Sequence, residues 1–150
     1  MTLILIIMEI NIDQIAFEDI VDLNNLKNLL EKFTAVTGFT AGLVDNTSKK
    51  MLFGHGRPDI CVKFPRACPD SHKHCTASNI ALTSELLHAG EIRMHRCENG
   101  LVDGCTPIII QGRHFANLFS GQVMFAPPDR EKFRAQARKY GYDEQEYLNS

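Results

Sequence analysis

The sequence predicts an α+β domain: an antiparallel sheet of about five strands with helices packed on one side. Three observations predict it. Apolar runs with strand character recur along the chain, turn-forming residues separate them, and periodic helical stretches lie between or beyond them rather than alternating strictly with strands. At 150 residues, with 44% hydrophobic and 23% charged side chains, the chain can bury one core of its own.

The elements follow in order. Residues 1–10, MTLILIIMEI, are apolar but too short to span a bilayer, and no Lys or Arg precedes them as in a signal peptide. They read as an edge strand or an extension, so residues 1–18 are set apart from a single domain over 19–150. Between Asp19 and Thr37, apolar residues at 23, 26, 29, 30, 33 and 36 form a helical stripe that Gly38 stops. Phe39–Asp45 and Met51–Gly56 read as a hairpin around Asn46-Thr47-Ser48-Lys49.

Pro58, Pro65 and Pro69 make the next stretch irregular. A helix is expected from Ser71 to His88, capped by Asp70 or Ser71 and ended by Gly90. Glu91–Cys97 is a strand. Thr106–Ile110 and Phe115–Phe125 form a second hairpin around Gln111-Gly112-Arg113-His114. Alternation along its second strand sets Phe115, Phe119, Val123 and Phe125 on one face and Ala116, Leu118, Ser120, Gln122 and Met124 on the other. With both faces mostly apolar, this strand is expected at the centre of the sheet. Asp129 opens a final helix that Gly141 closes, and DEQEYLNS starts another helical turn. With no closing element after it, the chain reads as a piece of a longer protein.

Net charge is −2, and the basic residues are scattered in RPD, FPR and ARK triplets. That argues against nucleic-acid binding and against a membrane surface, and the N-terminus, without the features of a signal peptide or a membrane span, points to a cytoplasmic chain. In a reducing compartment the five cysteines are metal-binding, redox-active or buried rather than paired. Cys61, Cys68 and Cys75 stand seven apart, but Pro65 and Pro69 break any continuous helix that would align them. Cys75, placed in the first turn of the following helix, is the best candidate for a lowered thiol pKa. Cys97 and Cys105 flank a turn that a sheet could bring near that loop.

Four thiolates would suit zinc or an iron–sulfur cluster, with His72, His74 or His95 able to replace one on zinc. No CxxC pair is present, so free redox-responsive thiols and inert core cysteines stay open beside the metal reading. A Cys75–His95 pair could serve an enzyme, but nothing orders it, and no phosphate loop, nucleophile elbow or HExxH motif occurs. The chain is therefore read as non-catalytic. Gln122, amid apolar neighbours, needs partners: either bonds within the protein or a ligand.

Several short units now stand in a fixed order. They are Phe39–Asp45 after Thr37-Gly38, Cys61 and Cys75 before a helix, Cys97-x-x-Gly100-Leu101, Pro107-Ile108, Gly112, and Ser120-Gly121-Gln122-Val123. In that order and spacing they resemble the PocR sensory domain from about Leu23 to Tyr147. The resemblance implies a PAS-like sensor of prokaryotic signalling proteins that binds small hydrocarbon derivatives such as propanediols. It also implies an attached output module, a histidine kinase or an AraC-type regulator, and matches Cys61, Cys75 and Cys97 to the family's recurrent cysteines. Cys68 and Cys105 depart from the pattern. Either could complete a four-thiolate site or add a redox response, so a metal, a cluster or, less favoured, a haem stays open as the sensed element. Phe39, Phe64, Phe119 and Gln122 are the candidate ligand contacts. Pairing of two copies through the N-terminal helix is a further expectation.

Overall fold

A computed structural model describes residues 14–84 and 88–150. The expected N-terminal strand or extension falls mostly within residues 1–13, and the expected Leu86 and Leu87 of the long helix fall in 85–87. Both lie outside the described residues.

The sheet is five-stranded and antiparallel throughout, in the order β2-β1-β5-β4-β3. Its strands are β1 Thr40–Asp45, β2 Met51–His55, β3 Arg93–Arg96, β4 Val102–Ile110 and β5 Arg113–Val123. The strand expected to be central, β5, is central. The β4–β5 connection is tighter than expected, a two-residue turn with φ of 50° at Gln111 and 82° at Gly112. Positive φ at both positions matches the right-handed twist of the strands it joins.

The N-terminal stripe divides into two helices, α1 Phe17–Ile20 and α2 Leu23–Thr37. Asp22 breaks it, because its carboxylate accepts from Asn24 and Asn25 N–H at 3.0 Å and so caps α2. Gly38, at φ 73°, ends α2 as expected. The apolar stripe also divides. Leu23, Leu26 and buried Leu30 turn inward, while Leu29 is 63% and Val36 87% exposed.

Two prolines expected to interrupt helices instead open them. Pro58 precedes α3 Asp59–Val62, and Pro69 is the first residue of α4 Pro69–Thr83. The first turn of a helix has no use for the missing N–H, and proline's fixed φ suits it. α4 therefore begins two residues before the expected start. Cys68, rather than Asp70 or Ser71, occupies its N-cap. The chain closes with α5 Arg130–Tyr140, capped by Asp129 and ended by Gly141 as expected, and α6 Glu144–Asn149.

Strand register assigns the faces. Leu43 pairs with Leu118, and on that side Leu43, Phe115 and Ala116 pack with Phe17 of α1 and Leu26 of α2. Gly42 pairs with Phe119 on the opposite side, where Phe119 and Cys105 meet Leu82 of α4. The helices between β2 and β3 thus cover one face and the N-terminal pair covers the other. A third cluster joins Phe64 of the α3–α4 loop to Phe133 and Ala137 of α5 and Tyr147 of α6.

Candidate functional site

The face under α3 and α4 is incompletely filled. Gly42 contributes no side chain, and a Cβ there would lie 3.7 Å from that of Phe119. Arg57, Arg66, Asn79, Asp103, Phe119 and Gln122 line a narrow, partly open cleft between sheet and helices. Arg66, Asn79, Asp103 and Gln122 also bound a second small space that Cys61, Cys75 and Cys97 line. Outward, the opening continues past Lys49, His72, Thr76 and His114.

Gln122 reaches this space because β5 is bulged. Val102 pairs with Val123 and Asp103 with Gly121, so Gln122 is the extra residue. It sits at φ 58° and the preceding Gly121 at φ 136°. A bulge resets the alternation of side chains and can re-aim one toward a site. Strict alternation places Gln122 on the Leu118 side. The bulge sets it in the cavity with Phe119 instead. A left-handed backbone at a non-glycine residue costs about 1 kcal/mol or more.

Two polar atoms in this cavity are buried with no hydrogen-bond partner among the described residues: Arg66 Nε and Gln122 Oε1. One is a donor and the other an acceptor. Burial lowers the Arg57 pKa, and the like charge of Arg66 lowers it further. Burial also raises the carboxyl of Asp103, against the pull of Arg66.

The cysteines separate into three environments. Cys61, Cys75 and Cys97 converge on the inner end. Burial, then the neighbouring Cys97, pushes the Cys61 thiol up to about 12. Burial raises those of Cys75 and Cys97. The lowered thiol expected at Cys75 belongs to Cys68. Because α4 starts at Pro69, Cys75 lies in its second turn, half-buried, whereas Cys68 at the N-cap is lowered by hydrogen bonds from Ser71. Cys105 is 2% exposed behind Leu82 and Phe119, and burial raises it to about 12. Among the described residues no three His, Cys, Asp or Glu side chains are grouped so as to hold a metal ion.

Of the aromatic candidates, Phe119 lines the cavity. Phe64 is 6% exposed but packs into the C-terminal cluster, its ring centroid 4.8 Å from that of Tyr147. Phe39 stands 47% exposed just ahead of β1. Sequence reasoning missed Arg57, Arg66, Asn79 and Asp103. The signal for the first two was present in the RPD and FPR triplets, which bracket the proline-rich segment that crosses the pocket.

Hydrogen bonds tie this pocket to the C-terminal helices. Gln136 of α5 donates to Asn99 Oδ1 at 2.6 Å, and Asn99 donates to Cys75 Sγ at 3.3 Å. Tyr142 donates to Ser71 Oγ, which lies 3.1 Å from the Pro65 carbonyl, next in chain to Arg66. No helix among the described residues is long and apolar enough to cross a membrane. The family model for the sensory domain found in PocR matches residues 19–150. No curated protein matches the chain.

Proposed function

The chain belongs to the family of sensory domains found in PocR, and from that premise we propose that it senses a small oxygenated hydrocarbon derivative, of the size of a short diol, in the Arg66–Gln122 pocket. The observation that carries this is two unmet groups in the lining of one pocket, Arg66 Nε–H and Gln122 Oε1. Leaving such atoms buried and unpaired costs about 1–3 kcal/mol each. One ligand hydroxyl answers both, accepting from Arg66 and donating to Gln122. Phe119 and Val44 supply the apolar wall against which a short carbon chain packs.

Phe64, Pro65 and Arg66 are consecutive. Arg66 meets the ligand, while Phe64 packs on Phe133 and Tyr147 near the C-terminus. Proline stiffens the link. Ligand that draws Arg66 inward therefore biases the packing of α5 and α6, which is what signalling to an attached kinase or transcription-regulator module in the cytoplasm requires. The domain performs no catalysis in this scheme.

The test is thermal unfolding and calorimetric titration with 1,2-propanediol, 1,3-propanediol and short alcohols. A ligand at about 100 times its Kd adds about 2.7 kcal/mol of stability. Gln122→Leu is expected to lose that gain while remaining folded. No stabilisation by any oxygenated compound of two to four carbons would overturn the proposal.

A further inference from the structure

We infer that the ligand is an anion, a short-chain hydroxycarboxylate whose carboxylate is held between Arg57 and Arg66 and whose hydroxyl donates to Gln122. This rests on the sensor reading above and names the ligand class of the same pocket.

The charge lining the pocket is unbalanced. Arg57 and Arg66 face it with Asp103 as their one carboxylate neighbour in its wall. Arg57 directs Nη2 at Met51 Sδ, 3.5 Å away, a weak acceptor for a guanidinium. No ion pair joins Arg57 or Arg66 to a carboxylate among the described residues. Burial and the neighbouring charge of Arg66 lower the Arg57 pKa, and a negative group arriving beside the two guanidiniums would offset both effects.

The entrance carries the same sign. Lys49, Arg66, His72 and His114 line the wider mouth, and among the described residues its lining holds no Asp or Glu. A cleft lined by one sign of charge concentrates ligands of the other.

The unmet atoms then choose between chemistries. A diol answers Arg66 Nε–H and Gln122 Oε1 but leaves the excess positive charge in place. A simple carboxylate answers the guanidiniums, bidentate as arginine prefers, but has no hydrogen for Gln122 Oε1. A hydroxycarboxylate does both, and its single charge matches the single excess cation. A dianion would exceed it.

Three probes of three carbons separate these cases: lactate, propionate and 1,2-propanediol, titrated into the full chain at low and high ionic strength. Lactate is expected to bind about tenfold or more tightly than either of the others, as one charge-assisted hydrogen bond permits. Arg57→Gln is expected to abolish its advantage over the diol. Because that variant could fold poorly, the wild-type protein gives an independent readout: lactate binding weakens with added salt and diol binding does not. Diol binding equal to or tighter than lactate overturns the anion assignment and leaves the sensor reading standing. Propionate equal to lactate overturns the role given to Gln122. Silence of all three probes overturns the assignment and removes its support from the sensor reading as well.

Discussion

Replacing Gly121 by alanine tests whether the β5 bulge is built as described. Gly121 sits at φ 136°, and a Cβ there would stand 2.8 Å from the Val102 carbonyl oxygen, 3.0 Å from Asp103 Cα and 3.3 Å from Gly104 N. All three are backbone atoms of the paired strand, so no side chain can swing aside. The backbone conformation alone costs an alanine about 1–3 kcal/mol, and forcing a methyl group into filled space adds about 1–3 kcal/mol. A total near 3 kcal/mol lowers Tm by about 6–12 °C in a domain of this size. Gly112→Ala is the control. Its φ is 82°, but nothing lies within 4 Å of the added Cβ, so it carries conformational strain alone, about 1–2 kcal/mol. Thermal and urea unfolding of both variants would decide. If Gly121→Ala is no less stable than Gly112→Ala, the close approach of β5 to β4 at the bulge is refuted.

Four further outcomes are expected. Leu82→Ala, at a side chain 1% exposed against Phe119 and Cys105, should cost about 2–5 kcal/mol in urea unfolding; a loss below about 1 kcal/mol would mean that α4 does not seal that face. Iodoacetamide near neutral pH should modify Cys68 first, as read by peptide mass mapping, and fastest labelling at Cys75 would contradict the helix start at Pro69. Tyr147→Phe should leave stability unchanged or raise it by about 1 kcal/mol, since its hydroxyl is buried without a partner; a clear loss would reveal a bond to that oxygen. Cys61 keeps its proton in the folded protein to about 12, whereas an unfolded thiol loses it from 9.0. Stability should therefore fall above pH 9, by up to about 1.4 kcal/mol per pH unit for this thiol. Cys61→Ala should flatten that slope in alkaline unfolding titrations, and an unchanged slope would place the thiol in solvent.

Local rules carried much of the fold. Gly38 and Gly141 end their helices where the periodicity stops, Asp129 caps α5, and Gln111-Gly112 turns the strongest pair of strands. Each is a decision made within a few residues, which is what a sequence exposes. The cavity depends on events that pattern does not encode. Pro58 and Pro69 read as breakers, yet each suits the start of a helix, and that shift moved Cys75 inward and left Cys68 at the cap. Gln122 was identified as a polar residue needing a partner, but alternation put it on the far face from Phe119, because one inserted residue leaves no signature in hydropathy. Arg57 and Arg66 looked like scattered surface charge until the chain crossing brought them together. The five cysteines form no single set for the same reason: Cys105 lies in a strand behind Phe119, and Cys61, Cys75 and Cys97 meet only through tertiary packing.

The bulge makes ligand choice a matter of counting. Whether an amide or an aliphatic side chain lines the pocket is fixed by how many residues separate Phe119 from Val123, before it is fixed by which residues they are. Loss of one residue from that interval would restore plain alternation. The pocket would then exchange its acceptor for whatever stood next in the strand, with every other wall unchanged. If Gln122 meets the ligand as proposed, a single codon gained or lost in β5 would change the pocket lining with no substitution at any contact. Two chains that agree at Arg66, Phe119 and Gln122 but differ by one in that count would present different side chains to the same pocket.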